Sequence, residues 1–289
     1  MEKKFKKLSM LLVVTTFLFL GIKNSYAEDE KKQLNKWNYN LFNPTPKEFM
    51  REMATDRPYR TEGINTIDAG HFQIETDLVS LSTDDKGLKQ KYNFNNMNLK
   101  LGLTNGIDFQ LIVPTYNMSI INEGSKSSTA MGFGNIITRL KFNIFGNENH
   151  SSNGMSIMPY VKYPTGQEQF TNKMVEGGLI VPFAFALPWD IDGGVMAKLD
   201  FKKNETDNNY HVEYINSFAF SREMIKNFKI YFGVYSLSSM EENSKWKATF
   251  DSGIVYQFTD NFKLDLGLNT GITPTSDKFN PFLGLSWRI

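Results

Sequence analysis

Asn96-Met97-Asn98-Leu99-Lys100-Leu101-Gly102-Leu103-Thr104-Asn105-Gly106-Ile107-Asp108-Phe109-Gln110-Leu111-Ile112-Val113 decides how the rest of this chain is read. Met97, Leu99, Leu101 and Leu103 fall on one face of an extended chain, and Asn96, Asn98, Lys100 and Gly102 on the other. After Thr104-Asn105-Gly106 the alternation resumes, with Ile107, Phe109, Leu111 and Val113 set against Asp108 and Gln110. A period of two marks a strand with one apolar face, and Asn-Gly supplies the positive φ angles of a tight hairpin turn.

The same unit recurs outward from this hairpin. Ile136, Thr138, Leu140, Phe142 and Ile144 alternate with Asn135, Arg139, Lys141 and Asn143. Leu179, Val181, Phe183, Phe185 and Leu187 form a further apolar row, and Phe262, Leu264, Leu266 and Leu268 another. Twelve segments result, near 71–81, 90–103, 107–120, 134–145, 155–163, 175–187, 191–202, 210–222, 228–240, 246–258, 262–272 and 279–289. The links at 104–106, 188–190, 223–227 and 259–261 are short, and those between them, such as 121–133 and 164–174, are mostly longer and polar. The link at 146–154 breaks this rule.

An even strand count with short turns at one end and longer loops at the other describes an outer-membrane barrel. The chain is therefore expected to be all-β, a transmembrane antiparallel up-and-down barrel of about 12 strands, behind a mostly irregular N-terminal periplasmic segment. Aromatic residues near the strand ends (Trp189, Tyr210, Phe228, Trp246, Phe258, Phe262 and Trp287) suit interfacial girdles. A secreted β-sandwich would also alternate. Long strands, a charged row opposite the apolar one, and a final strand ending Leu283-x-Leu285-x-Trp287-x-Ile289 favour the membrane.

Residues 1–27 read as a cleaved signal peptide. Lys3, Lys4, Lys6 and Lys7 precede an apolar run from Leu11 to Ile22, and Ser25-Tyr26-Ala27 presents small residues for cleavage near Ala27. The run is too short to span a bilayer. The signal holds five Lys and one Glu, so its removal takes the net charge from +1 to −3, which excludes nucleic acid as an expected partner. Without cysteine and with only 3 His, disulfides, thiolate chemistry and imidazole-rich metal sites are not expected. No cofactor is implied, for no Walker loop, dinucleotide fingerprint or calcium loop occurs. Beyond the signal no apolar run reaches the length of a membrane helix.

Residues 28–70 lack alternation and 71–289 carry the barrel pattern. Asn43-Pro44-Thr45-Pro46 interrupts regular structure, and Pro46 to Met53 could make one short helix. The segment is either a loose periplasmic tail or a plug folded into the lumen. Trp37, Tyr39, Phe42 and Phe49 are costly to leave in water.

Thr55-Asp56-Arg57-Pro58 with Thr61-Glu62, Asp68 to Glu75, Met158 to Gly166, Val175 to Pro182, and Tyr210 to Ser217 are stretches that together resemble the outer-membrane transporter family named for the MetA pathway of phenol degradation. The resemblance covers most of 55–289 and implies a channel for passive uptake of small, hydrophobic or aromatic compounds. A structural or surface-exposed barrel with a closed lumen is the alternative. Outer-membrane lipid, lipopolysaccharide, the barrel assembly machinery and a small-molecule solute are the expected partners, in the outer membrane of a Gram-negative bacterium.

If the apolar rows face lipid, the lumen receives Gln73, Glu75, Asp77, Lys100, Asp108, Gln110, Arg139, Lys141, Lys162, Asp192, Lys198, Asp200, Lys263, Asp265 and Arg288. Both signs are interleaved, so these side chains either line a pore or cross-link the interior. Glu75 and Asp77 on the first strand are expected beside Arg288 on the last. Pro159 and Pro182 in consecutive strands, with Gly177 and Gly178, are expected to distort the wall by a bulge or gap, because proline cannot donate to a ladder. A gap could release an apolar solute sideways. His150-Ser151-Ser152-Asn153-Gly154 resembles the string of outer-membrane phospholipase, a weaker lipid-hydrolase alternative, but it is also ordinary turn composition. No catalytic residue is assigned.

Overall fold

The computed structural model describes residues 38–84, 86–147 and 153–289. The signal-like stretch and His150 to Ser152 lie outside the described residues.

Thirteen strands are present among them: β1 (Phe72–Thr83), β2 (Lys89–Thr104), β3 (Ile107–Glu123), β4 (Lys126–Gly132), β5 (Ile137–Phe145), β6 (Asn153–Lys162), β7 (Glu176–Leu187), β8 (Ile191–Lys203), β9 (Tyr210–Ile225), β10 (Phe228–Ser239), β11 (Lys247–Thr259), β12 (Phe262–Gly271) and β13 (Phe279–Arg288). All pairings are antiparallel between neighbours. The ring closes where β1 meets β13, with Gln73 opposite Arg288 and Glu75 opposite Ser286. Twelve strands form this closed wall, which leaves no edge exposed to lipid.

The alternation sets the two faces. On β3, Asp108 and Gln110 are buried while their neighbours Ile107, Phe109 and Leu111 are partly exposed on the outside. On β12, Asp265 is buried and Leu266 is 51% exposed. A soluble fold would invert that assignment. Trp189, Tyr210, Trp246, Phe258 and Trp287 are all exposed, the girdle arrangement.

The thirteenth strand corrects the reading of 121–133 as a loop. β3 runs on to Glu123, Gly124 turns with φ +61°, and β4 returns along Asn117 to Glu123. β5 takes the other half of the same edge, Ile107 to Ile112. The link between them is tied to β3 where the Gly134 amide donates to the Pro114 carbonyl at 2.9 Å. Lys126-Ser127-Ser128-Thr129 carries no apolar face because this hairpin adds no strand to the lipid-facing ring. Backbone pairing persists where the alternation has vanished. The expected helix over Pro46 to Met53 is a single 3-10 turn, Lys47–Phe49, with no side-chain cap.

Candidate functional site

The segment before β1 lies inside the barrel. It enters at the short-turn end, where the Leu41 amide donates to the Leu103 carbonyl at 2.9 Å and Thr45 Oγ1 donates to Asn105 Oδ1 at 2.8 Å. His71 is part of this entry, its Nε2 standing 2.7 Å from the Thr45 carbonyl oxygen. The chain then crosses the lumen and returns. Arg57 reaches β1 and β12, Tyr59 packs its ring on Tyr231 of β10 at 4.8 Å, Thr61 donates to Ser217 of β9 at 2.7 Å, and Glu62 comes back to Arg139 of β5.

One half of the lumen holds this segment by charge. Asp56 receives Lys100 at 2.6 Å and Lys141 at 2.7 Å, with Arg139 at 4.0 Å. Burial opposes ionisation of the Asp56 carboxyl, but Lys100, Lys141 and Arg139 together outweigh it and hold its pKa well below the usual carboxylate range. Arg57 bridges Asp77 and Asp265, the latter at 2.7 Å. Asp68 takes Arg51 at 2.6 Å and Arg288 at 3.4 Å. Glu75 pairs with Lys100 and accepts the backbone amides of Asp56 and Arg57 at 3.0 and 3.1 Å. Gly284 makes room for this packing, since a Cβ there would fall on the Arg57 guanidinium.

The residues read as lumen-facing therefore meet partners that the strand pattern did not supply. Gln73 donates to the Ala54 carbonyl at 2.8 Å, Asp108 accepts the Ile67 amide at 3.2 Å, and Lys263 donates to the Met53 carbonyl at 2.6 Å. Gln110 bonds Asp108 and Arg139 on the wall itself. Glu75 and Asp77 are not partnered with Arg288. The register sets Gln73, not Glu75, opposite Arg288, and Asp56, Arg57 and Asp68 of the internal segment claim the charges first. Asp56, Arg57, Glu62 and Asp68 were missed as site residues. Their sequence signals were their place in the family-like stretches Thr55 to Pro58, Thr61-Glu62 and Asp68 to Glu75, and a run of charge and proline directly before a barrel with charges on its inner face.

The other half is different. There several wall charges pair among themselves: Lys162 with Glu176 at 2.9 Å, Lys198 with Asp200 at 3.1 Å, and Asp192 with Lys229 at 2.7 Å. Met158, Ile180, Met196 and Ile215 of β6 to β9 make a buried apolar patch on the inner face, with Tyr160, Tyr235 and Leu237 packed against it. Toward the short-turn end a cavity of about 1210 Å³ lies between the internal segment and β7 to β12, reaching Asn227, Asp260 and Asn261 at the turns.

The prolines do not make a bulge. β6 and β7 keep one register through Pro159 and Pro182, although the pairs at Ser156 and Ile157 are missing. On the β5 side the ladder skips Leu140 and Lys141 opposite Pro159 and Met158. Of the two expected distortions, the bulge is absent and a local gap in the hydrogen-bond ladder is present, because a missing donor costs a bond without forcing an extra residue into the strand. Gly178 has another role. It lets Tyr160 of β6 pass over β7 and donate its hydroxyl to Asp200 of β8 at 2.5 Å.

A closed twelve-strand wall with its polar face inward defines an outer-membrane β-barrel. Residues 55–289 match the model of the family described as "Putative MetA-pathway of phenol degradation", and the chain belongs to that family. Among solved structures, the COG4313 outer membrane channel from Pseudomonas putida F1 superposes with a TM-score of 0.59 at 12% identity, over 80% of this chain and 99% of that one. The NanC porin gives 0.52 at 10% identity, over 75% of this chain and 100% of that one. No curated protein matches.

Proposed function

We propose that the protein is a passive outer-membrane conduit for small solutes, plugged by its own residues 38–70. The observation that carries this reading is the division of the lumen. The stretch Arg57 to Glu62 crosses it as a bar, with a cavity of about 1210 Å³ on the short-turn, periplasmic side. Passage requires the tip of that bar to move. Its roots are fixed by ion pairs, whereas Tyr59, Arg60 and Thr61 at the tip meet tyrosine rings and the hydroxyls of Ser221, Thr249 and Ser217. The family and the barrel fold support uptake of small apolar or aromatic compounds, the solute class tied to phenol degradation. No catalytic cycle and no cofactor enter this reading. Residues 1–27 are removed on export, and the partners are outer-membrane lipid, lipopolysaccharide and the assembly machinery.

The test is conductance of the purified, refolded chain in a planar bilayer beside its Asp56→Asn variant. Steps that appear or widen in the variant support a plugged channel. Silence from both, with folding shown by heat-modifiable gel mobility, removes the proposal.

A further inference from the structure

Arg60 stands apart from the other arginines of the internal segment. Arg51 and Arg57 are each bound to carboxylates, but among the described residues Arg60 has no carboxylate within ion-pair distance. It is exposed inside the barrel, toward the long-loop end. Its guanidinium lies over the Tyr235 ring at 3.9 Å and donates to Thr249 Oγ1 at 2.9 Å. That hydroxyl donates in turn to Asp251 at 2.7 Å, so the buried acid lies outside ion-pair distance of Arg60 and acts on it through space and through the shared hydroxyl. The guanidinium is thus held over the ring while much of its hydrogen-bonding capacity stays open.

The surroundings are mixed in a particular way. Tyr235 packs against the apolar patch around Ile215 and Met196, and so does Tyr160 from the opposite side. The strand registers place Tyr235 beside Ser217 and Leu237 beside Ile215, so the patch adjoins the ring that carries Arg60. Nearby acids are already matched: Asp200 by Tyr160 and Lys198, and Glu213 by Lys202 at 3.4 Å. Lys198 also stands over the Tyr160 ring at 4.9 Å. An aromatic and apolar surface carrying one open, planar cation is complementary to an apolar ring bearing one carboxylate. The ring takes the tyrosine and aliphatic surface, and the carboxylate takes the two-pronged edge of the guanidinium.

We infer that Arg60 and Tyr235 form a recognition site at the long-loop mouth for small aromatic monocarboxylates. Its part in transport rests on the channel reading above, whereas binding does not. The test uses the full chain in lipid nanodiscs and titrates benzoate by ligand-observed NMR, with benzamide as the uncharged isostere and acetate as the ringless anion. Benzoate is expected to bind about tenfold more tightly than either, and Arg60→Gln to abolish that advantage. Tyr235→Leu is expected to weaken benzoate by about threefold while leaving acetate unchanged. Equal binding of benzoate and benzamide, or full benzoate affinity in a folded Arg60→Gln protein, overturns the site. Benzoate selectivity in a protein that never conducts leaves the site standing and removes the channel.

Discussion

The two halves of the lumen treat the same internal segment in opposite ways. Along β12, β13, β1, β2 and β5 its carboxylates and guanidinium groups enter buried ion pairs with the wall, four of them on Asp56 and Arg57 alone at hydrogen-bonding distance. Along β6 to β11 it meets hydroxyls, rings and apolar side chains, while Lys162, Lys198 and Lys229 pair with wall carboxylates there and Asp251 is held by Thr249. Buried charges left without partners are far more costly than lost neutral hydrogen bonds. The charged half therefore acts as an anchor and the neutral half as the place where the bar can part from the wall.

Breaking the anchor has the largest expected effect. Asp56→Asn strips Lys141, which is fully buried and otherwise bonded to the Asn65 carbonyl at 3.2 Å, of its ion-pair partner, and takes one of two from Lys100. The loss should be about 3–5 kcal/mol, seen as a lower temperature for the heat-modifiable mobility shift together with a larger conductance. Acid probes the same contact without mutation. Because the pKa of Asp56 is depressed in the folded chain, its stabilisation is complete above about pH 4 and is lost progressively as pH falls below that. Wild type should loosen on acidification below about pH 4, and Asp56→Asn should show a weaker dependence over the same interval.

Smaller effects belong to the neutral half. Gly178→Ala would set a methyl 2.2 Å from the Leu199 carbonyl oxygen and 2.8 Å from the Tyr160 ring, forcing the β7–β8 backbone as well as the tyrosine to shift at a cost of about 1–3 kcal/mol. Ser217→Ala leaves the Thr61 hydroxyl unpaired, for about 1 kcal/mol. If that variant lowers the thermal shift as much as Asp56→Asn does, or leaves conductance as in wild type, the anchor-and-tip distinction is wrong. Lys173→Ala removes an exposed pair with Glu168 on a loop, and no change in thermal shift is expected.

The barrel was legible because lipid imposes a strict rule. Every lipid-facing position must be apolar, so Ile107, Phe109 and Leu111 alternate with Asp108 and Gln110, and the pattern names the faces without any knowledge of neighbours. Where that rule stops, so did the reading. β4 lies outside the lipid-facing ring, and its Lys126-Ser127-Ser128-Thr129 looks like a loop. The Pro46 to Met53 helix failed for a related reason, since the backbone there bonds to the lumen wall rather than to itself.

By itself, then, the sequence determined the number of strands crossing the membrane, their faces and the list of charges pointing inward, all of which follow from period-two alternation. Only the tertiary structure decided which charges meet. Arg57 and Asp265 are 208 positions apart, and Arg288 and Asp68 are 220 apart. Such pairings depend on barrel closure, on the register that sets Gln73 against Arg288, and on the path of a segment with no periodicity. Coulomb attraction acts through space and leaves no periodic trace along the chain.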